Sequence, residues 1–85
     1  MNGELSLRVM VHDVWDEVRM SLPASASLGE LKRQALAVTR VMRDPDGYVV
    51  KFRGAEVADA STLAEAGIVP DANLIVLPRR RRPVR

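Results

Sequence analysis

The sequence predicts an α+β fold in which a small sheet packs one face against a single helix. Apolar and polar residues alternate in stretches 5–11, 18–22 and 48–53, which is the two-residue period of half-buried strands. Between the second and third of these stretches, one segment has the helical period instead. Because 85 residues suffice for one hydrophobic core of a few packed elements, we expect a single domain.

The first two strands are predicted to form a β-hairpin. In stretch 5–11 every odd position is apolar, and in stretch 18–22 every even position is apolar. A polar segment from His12 to Glu17 interrupts the alternation, and Pro23 ends it. Two alternating runs joined by a short polar segment are typical of an antiparallel hairpin.

A helix is predicted to begin after Ser27. Glu30 follows three residues later, so the two side chains can each bond an unpaired backbone N–H of the first turn. We expect the helix to end in the segment from Asp44 to Gly47, because Pro45 disfavours helical backbone at the preceding residue. The apolar stripe predicted to face the sheet is Leu28, Leu31, Ala35, Val38 and Met42, while Lys32, Arg33 and Arg40 are predicted on other faces.

The second half of the chain predicts two further strands and a short edge segment. A strand over 48–53 is followed by a turn at Gly54, and Val57 anchors the edge segment. Thr62 and Glu65 repeat the capping spacing, and the last strand covers 74–77. The predicted core consists of Leu5, Leu7, Val9, Val18, Met20, Leu22, Leu28, Leu31, Ala35, Val38, Val50, Phe52, Leu63, Ile68, Leu74 and Val76.

Charge divides the chain into two parts. The net charge of +2 combines a body, residues 1–78, that carries every acidic residue, with a tail, residues 79–85, that has five arginines and no acid. We predict that 1–78 is the folded domain and that 79–85 is disordered, because like charges repel and the tail has little to bury. No apolar run is long enough to span a membrane, so we predict a cytoplasmic protein without membrane insertion.

The sequence offers little for catalysis or for a cofactor. There is no cysteine and one histidine, which excludes thiolate sites and sites that need two imidazoles. His12, Asp13, Asp16 and Glu17 cluster in one turn, but a cation loop needs more ligands at stricter spacing. We interpret this cluster as a solvated turn, and we predict a protein that is not an enzyme and binds no cofactor or metal.

The segment from Phe52 to Leu63 resembles the third strand, glycine turn and fourth strand of ubiquitin, followed by its Thr-Leu turn, here Thr62-Leu63. The match continues through Ile68 and the strand over 74–77, and the Ser27–Glu30 helix start and the hairpin also fit. The resemblance therefore covers about residues 4–78. It implies a ubiquitin-like β-grasp, with a mixed sheet of four to five strands packed on one helix.

Two departures from ubiquitin bear on function. Arg82 and Pro83 stand where modifiers and sulfur carriers have the terminal Gly-Gly, and the last glycine is Gly67. In the apolar patch that ubiquitin presents to its readers, Lys51 replaces the central isoleucine, beside positions that match Ile75 and Leu77. The chain thus resembles non-conjugating bacterial members: first the ubiquitin-like component of type VII secretion loci, then the ubiquitin-like subunit of toluene-type diiron monooxygenases.

We predict that the sheet face away from the helix, together with the tail, forms one docking surface. Strand parity places Val49 and several cations on this face, with Glu17 as its only acid, and we expect a protein partner of acidic character and a chain that is monomeric alone. Alternatives are a nucleic-acid-associated protein that uses the tail and a degenerate carrier. Trp15 is either satellite core or a contact residue. The predicted site is Arg8, Met10, His12, Lys51, Arg53, Ile75, Leu77, Arg79, Arg80, Arg81 and Arg82.

Overall fold

A computed structural model describes residues 4–79. A five-stranded sheet in the order β2-β1-β5-β3-β4 packs on one helix. Only the β1–β5 pair is parallel among the described strands, so the sheet is mixed. The elements are β1 (Glu4–Val11), β2 (Asp16–Pro23), α1 (Leu28–Val38), β3 (Tyr48–Phe52), β4 (Ala55–Val57) and β5 (Asn73–Pro78).

The predicted hairpin is confirmed. Strands β1 and β2 pair with Leu7 opposite Met20, which places both on the core side of the sheet. A single 3₁₀ turn over His12–Val14 joins the strands, followed by Trp15 in the left-handed region at φ 50°. The register therefore follows from the hydrophobic pattern, because a one-residue slip would bring the polar positions into the core.

The start of helix α1 is confirmed, and its end is earlier than predicted. The hydroxyl of Ser27 accepts a bond from the N–H of Glu30 at 3.1 Å, whereas the Glu30 carboxylate bonds Arg33 and Gln34 instead of capping. At the other end, Arg40 adopts φ 63°, and the N–H of Val41 bonds the carbonyl of Leu36 at 2.9 Å. This left-handed cap is usually built on glycine, so the pattern gave no sign of it.

Because the helix ends at Val38, the end of the predicted apolar stripe is wrong. Val38 is 61% exposed and Met42 is 91% exposed, while Leu36 is buried. The buried face of α1 runs through positions 28, 29, 31, 32, 35 and 36. These spacings describe the wide buried stripe of an ordinary α-helix, which has 3.6 residues per turn. The prediction used only alternating spacings of three and four residues, which describe a narrower stripe.

Lys32 is a second correction, since it was predicted on a face of the helix other than the apolar stripe that packs on the sheet. It is 1% exposed, and its ammonium donates to the carbonyl of Tyr48 at 3.0 Å and to Oδ2 of Asp59 at 2.6 Å. The loop that carries Asp59 also caps α1, because the carbonyls of Asp59 and Ser61 accept the N–H groups of Gly29 and Leu28. Lys32 thus joins the helix, β3 and this loop.

The rest of the core largely matches the prediction. Leu63 is fully buried in the turn that Thr62 and Glu65 close with reciprocal hydrogen bonds of 3.0 Å. Predicted core residues Leu5, Val18 and Phe52 are only partly buried against the core. Core residues that the prediction omitted are Val11, Leu36, Tyr48 and Ala72.

The last described residues bear on the predicted division of the chain. Strand β5 ends at Pro78, and the N–H of Arg79 bonds the carbonyl of Gly47 at 2.7 Å. The remainder of the predicted tail, 80–85, lies outside the described residues, as do residues 1–3. Within residues 4–79, no helix is long and apolar enough to cross a membrane.

Candidate docking surface

The outer sheet face is the side of the sheet that helix α1 leaves uncovered. Arg8 and Ile75 are exposed on it, whereas their strand neighbours Val9 and Val76 are fully buried. Two grooves cross this face, one beside the β3–β5 pair and one beside the β1–β5 pair, and His12 lines both. The structure therefore brings most of the predicted site residues onto one continuous surface.

The β3–β5 groove has an apolar floor and a charged rim. It has a volume of about 530 Å³. Val49 and Leu77 are cross-strand partners, as are Lys51 and Ile75. Val49 was predicted on the displayed face, but it is buried there and lies outside the main core cluster. The groove is lined by His12, Val49, Lys51, Glu56, Leu77, Pro78 and Arg79.

The outer face carries more acid than predicted. Glu56 on β4 is the cross-strand partner of Lys51, and its carboxylate lies 3.9 Å from the Arg79 guanidinium. Glu4 accepts a bond from the Ser21 hydroxyl at 3.1 Å, so it also stands on this face. The expectation of Glu17 as the only acid on this face is therefore wrong. Glu56 reaches the face because β4 pairs with β3, and Glu4 reaches it because β1 begins one residue earlier than predicted.

The β1–β5 groove is the more apolar of the two at its surface. Met10 and Ile75 are aligned neighbours of the parallel β1–β5 pair, and Ile75 is 43% exposed. Trp15 closes the groove at the hairpin end, and Arg8 lines it farther along β1. Its volume is about 370 Å³, and its remaining lining residues are His12, Glu17, Asn73 and Leu74.

Trp15 is exposed rather than satellite core. Its side chain is 72% exposed, and its indole lies against the His12 imidazole with ring centroids 5.0 Å apart. The backbone N–H of Trp15 donates to the carbonyl of His12 at 3.3 Å, and this bond holds the backbone of the turn. Sequence reasoning left Trp15 out of the predicted site because the direction of its side chain depends on the left-handed backbone of this turn.

Arg53 is the predicted site residue that the structure places apart from both grooves. It lies in the turn after β3 at φ 57°, and its guanidinium is 5.1 Å from the centre of the Phe52 ring. The predicted strand included Arg53, whereas β3 ends at Phe52. The alternation of side chains along a strand therefore does not place Arg53 on the outer face. The predicted site residues Arg80, Arg81 and Arg82 lie outside the described residues.

The polar hairpin turn is tied to the sheet by a buried tyrosine. The hydroxyl of Tyr48 donates to Oδ2 of Asp13. Burial of the phenol, together with this carboxylate, raises the pKa of Tyr48, and Arg43 partly opposes the shift. Between Glu4 and Arg79, no three acidic or imidazole side chains come together in a group that could hold a metal ion.

Comparison with known proteins identifies the fold. A ubiquitin from Caldiarchaeum subterraneum superposes with a TM-score of 0.79 at 15% identity, covering 93% of this chain and 98% of its own. A designed protein based on ubiquitin gives 0.81 at 21% identity, covering 94% of each chain. The N-terminal ubiquitin-like domain of the 4931431F19Rik protein gives 0.76 at 18% identity, covering 100% of this chain and 84% of its own.

No protein-family model and no curated protein matches the chain. The structural likeness is nevertheless extensive, and it agrees with the ubiquitin-like fold that the resemblance implied. The chain has the ubiquitin-like β-grasp fold, with a five-stranded mixed sheet on one helix.

Proposed function

We propose that this protein is a non-catalytic, non-conjugating interaction module that binds a protein partner with its outer sheet face. The observation that carries the proposal is the exposed Ile75 on β5, which lines the β1–β5 groove together with Met10 and Trp15. A solvated sheet face is normally lined by polar side chains, and contiguous apolar surface on such a face is typical of interaction sites. Lys51 and Arg79 at the rim add charge that favours orientation and rapid association.

The non-conjugating character is inferred from the resemblance to ubiquitin. Arg82 and Pro83 occupy the positions that match the Gly-Gly of modifiers and sulfur carriers. Their side chains do not suit an enzyme channel shaped for glycine. An activating enzyme supplied with ATP should therefore give no pyrophosphate exchange that depends on this protein. Exchange would favour the degenerate-carrier alternative.

We place the module in a bacterial cytoplasm, as an adaptor or accessory subunit of a larger assembly. The resemblance favours the ubiquitin-like component of type VII secretion loci, followed by the small subunit of toluene-type diiron monooxygenases. In either setting the chain acts by contact, without catalysis of its own and without a cofactor. Neighbouring genes for a secretion ATPase or for a monooxygenase would separate these settings.

A nucleic-acid-binding role is the second candidate, because five arginines lie within residues 79–85. Such binding would weaken steeply with salt, since each neutralised phosphate releases counterions. Against this role, the exposed aromatic residue Trp15 lies beside apolar Met10 and Ile75 rather than among cations alone.

The two functions are separated by two variants of the chain. Replacement of Ile75 and Leu77 by serine should abolish binding to the purified partner at every ionic strength, because salt does not screen apolar burial. Deletion of 79–85 should weaken binding mainly at low salt. The matched control is Val38→Ser with Met42→Ser, which removes two exposed apolar residues from the end of helix α1 and from the segment that follows it. A partner that binds the sheet-face variant normally and is lost with the tail would contradict the proposal.

A further inference from the structure

The β1–β5 groove has a chemical character that the proposed function does not specify. Apolar side chains of Met10, Trp15 and Ile75 line it, and Arg8 stands at its far end. A site of this kind needs an occupant with both an apolar group and a charge. We propose that the groove binds an acidic segment of a partner protein, with an apolar side chain of that segment between Trp15 and Ile75. This inference rests on the proposed function and names the partner's chemistry.

The juxtaposition of Arg8 and Arg19 on the β1–β2 half of the face supports an acidic occupant. Arg8 and Arg19 are direct cross-strand partners, an arrangement in which like charges repel. Within residues 4–79, neither guanidinium lies within 4.0 Å of a carboxylate. Glu17 lines the groove and Glu4 stands on the same face, so the acids equal the two arginines in number, but neither makes an ion pair with Arg8 or Arg19. An incoming carboxylate between the two arginines would relieve their repulsion.

The conformation of Trp15 supports its part in binding. A bulky aromatic residue at φ 50° is uncommon. Because the side chain is 72% exposed, it contributes little apolar burial to the stability of the fold. Strained residues of this kind concentrate at functional sites. Tryptophan is also enriched among residues that dominate binding energy. The contact with the His12 ring restricts the indole before the partner arrives.

The test uses three synthetic peptides and the emission of Trp15, the single tryptophan of the chain. In the first peptide glutamate alternates with leucine, in the second lysine replaces glutamate, and in the third serine replaces leucine. We expect the first peptide alone to bind and to shift the Trp15 emission. An oligothymidylate is the nucleic-acid probe, and it should leave the emission unchanged.

Charge reversal at Arg8→Glu with Arg19→Glu should weaken binding of the glutamate–leucine peptide about tenfold or more and create binding of the lysine–leucine peptide. The control Arg33→Glu with Arg40→Glu makes the same change of charge on the helix side and should retain the wild-type preference. Trp15→Ala, measured with a labelled peptide, should weaken binding about tenfold. The same preference should persist in the chain that lacks 79–85.

Several results would overturn the inference. These are an unchanged Trp15 emission with the glutamate–leucine peptide, equal losses in the two charge-reversal variants, or oligothymidylate binding that depends on Arg8 and Arg19. The proposed function has a separate outcome. If the native partner is lost with Ile75→Ser and Leu77→Ser but binds the Arg8/Arg19 and Trp15 variants normally, the outer face is the docking surface and this assignment of the β1–β5 groove is wrong.

Discussion

Replacing Asp59 with alanine is predicted to destabilise the fold by way of Lys32. The ammonium of Lys32 is buried and has two acceptors, Oδ2 of Asp59 at 2.6 Å and the carbonyl of Tyr48 at 3.0 Å. Removing one partner of a fully buried ion pair costs about 3–5 kcal/mol. Because the Asp59 side chain is 46% exposed, water can approach the site, and we expect the smaller loss of about 1–3 kcal/mol.

Replacing Lys32 with methionine should destabilise the fold less than the burial of Lys32 suggests. Methionine keeps an apolar stem in the core and leaves Asp59 hydrated, so the main loss is the hydrogen bond to the Tyr48 carbonyl, about 1 kcal/mol. The double variant Lys32→Met with Asp59→Ala should then be no less stable than Lys32→Met alone, because no buried charge remains to be paired.

Urea denaturation followed by circular dichroism measures all three variants as one double-mutant cycle. Glu56→Ala is the matched control, since its 3.9 Å contact with Arg79 is exposed and should contribute at most about 0.5 kcal/mol. An Asp59→Ala loss of the same size in the presence and absence of Lys32 would refute this reasoning. It would show that the carboxylate acts on the loop and not on the buried ammonium.

Three further predictions concern stability. Leu63→Ala should lower the free energy of unfolding by about 2–5 kcal/mol in urea titration, because Leu63 is fully buried in its turn; an unchanged midpoint would contradict its place in the core. Ser27→Ala should cost about 1 kcal/mol by loss of the cap on Glu30, and Ser27→Asp should largely retain stability. The folded state raises the pKa of Tyr48, which means that folding favours the neutral phenol. The stability that Tyr48 contributes is therefore fully present below the ordinary tyrosine pKa of about 10, and it is lost as pH rises through the folded value. Stability should thus fall in that alkaline range, and Tyr48→Phe should flatten the decline; an equal decline in both proteins would contradict the assignment.

The sequence predicted those parts of the fold that depend on local pattern. The hairpin register, the Ser27 cap and the burial of Leu63 all follow from period-two alternation or from capping spacing, which are read directly along the chain. The end of the helix depends on a left-handed Arg40, and cap residues of this kind are usually glycine. Lys32 depends on a partner far along the chain, since Asp59 is 27 residues away. No local pattern signals such a contact.

The candidate surface divides in the same way. Arg8, Met10, Ile75 and Leu77 fall on the outer face because strand parity is regular there. Sequence reasoning missed the acid at position 56, which requires the β3–β4 pairing, and it left the direction of Trp15 open. Both depend on turns, where a single left-handed residue redirects the chain.

The most direct test of the central claim is an NMR titration of the isotope-labelled chain with its purified partner. The claim is that the outer sheet face is the docking surface. We predict that amide signals along β1 and β5, with the side-chain signals of Met10, Ile75 and Leu77, shift or broaden, while those of Leu31 and Ala35 on the covered helix face do not. Perturbations confined to helix α1, or to the arginines of 79–85 alone, would contradict the claim.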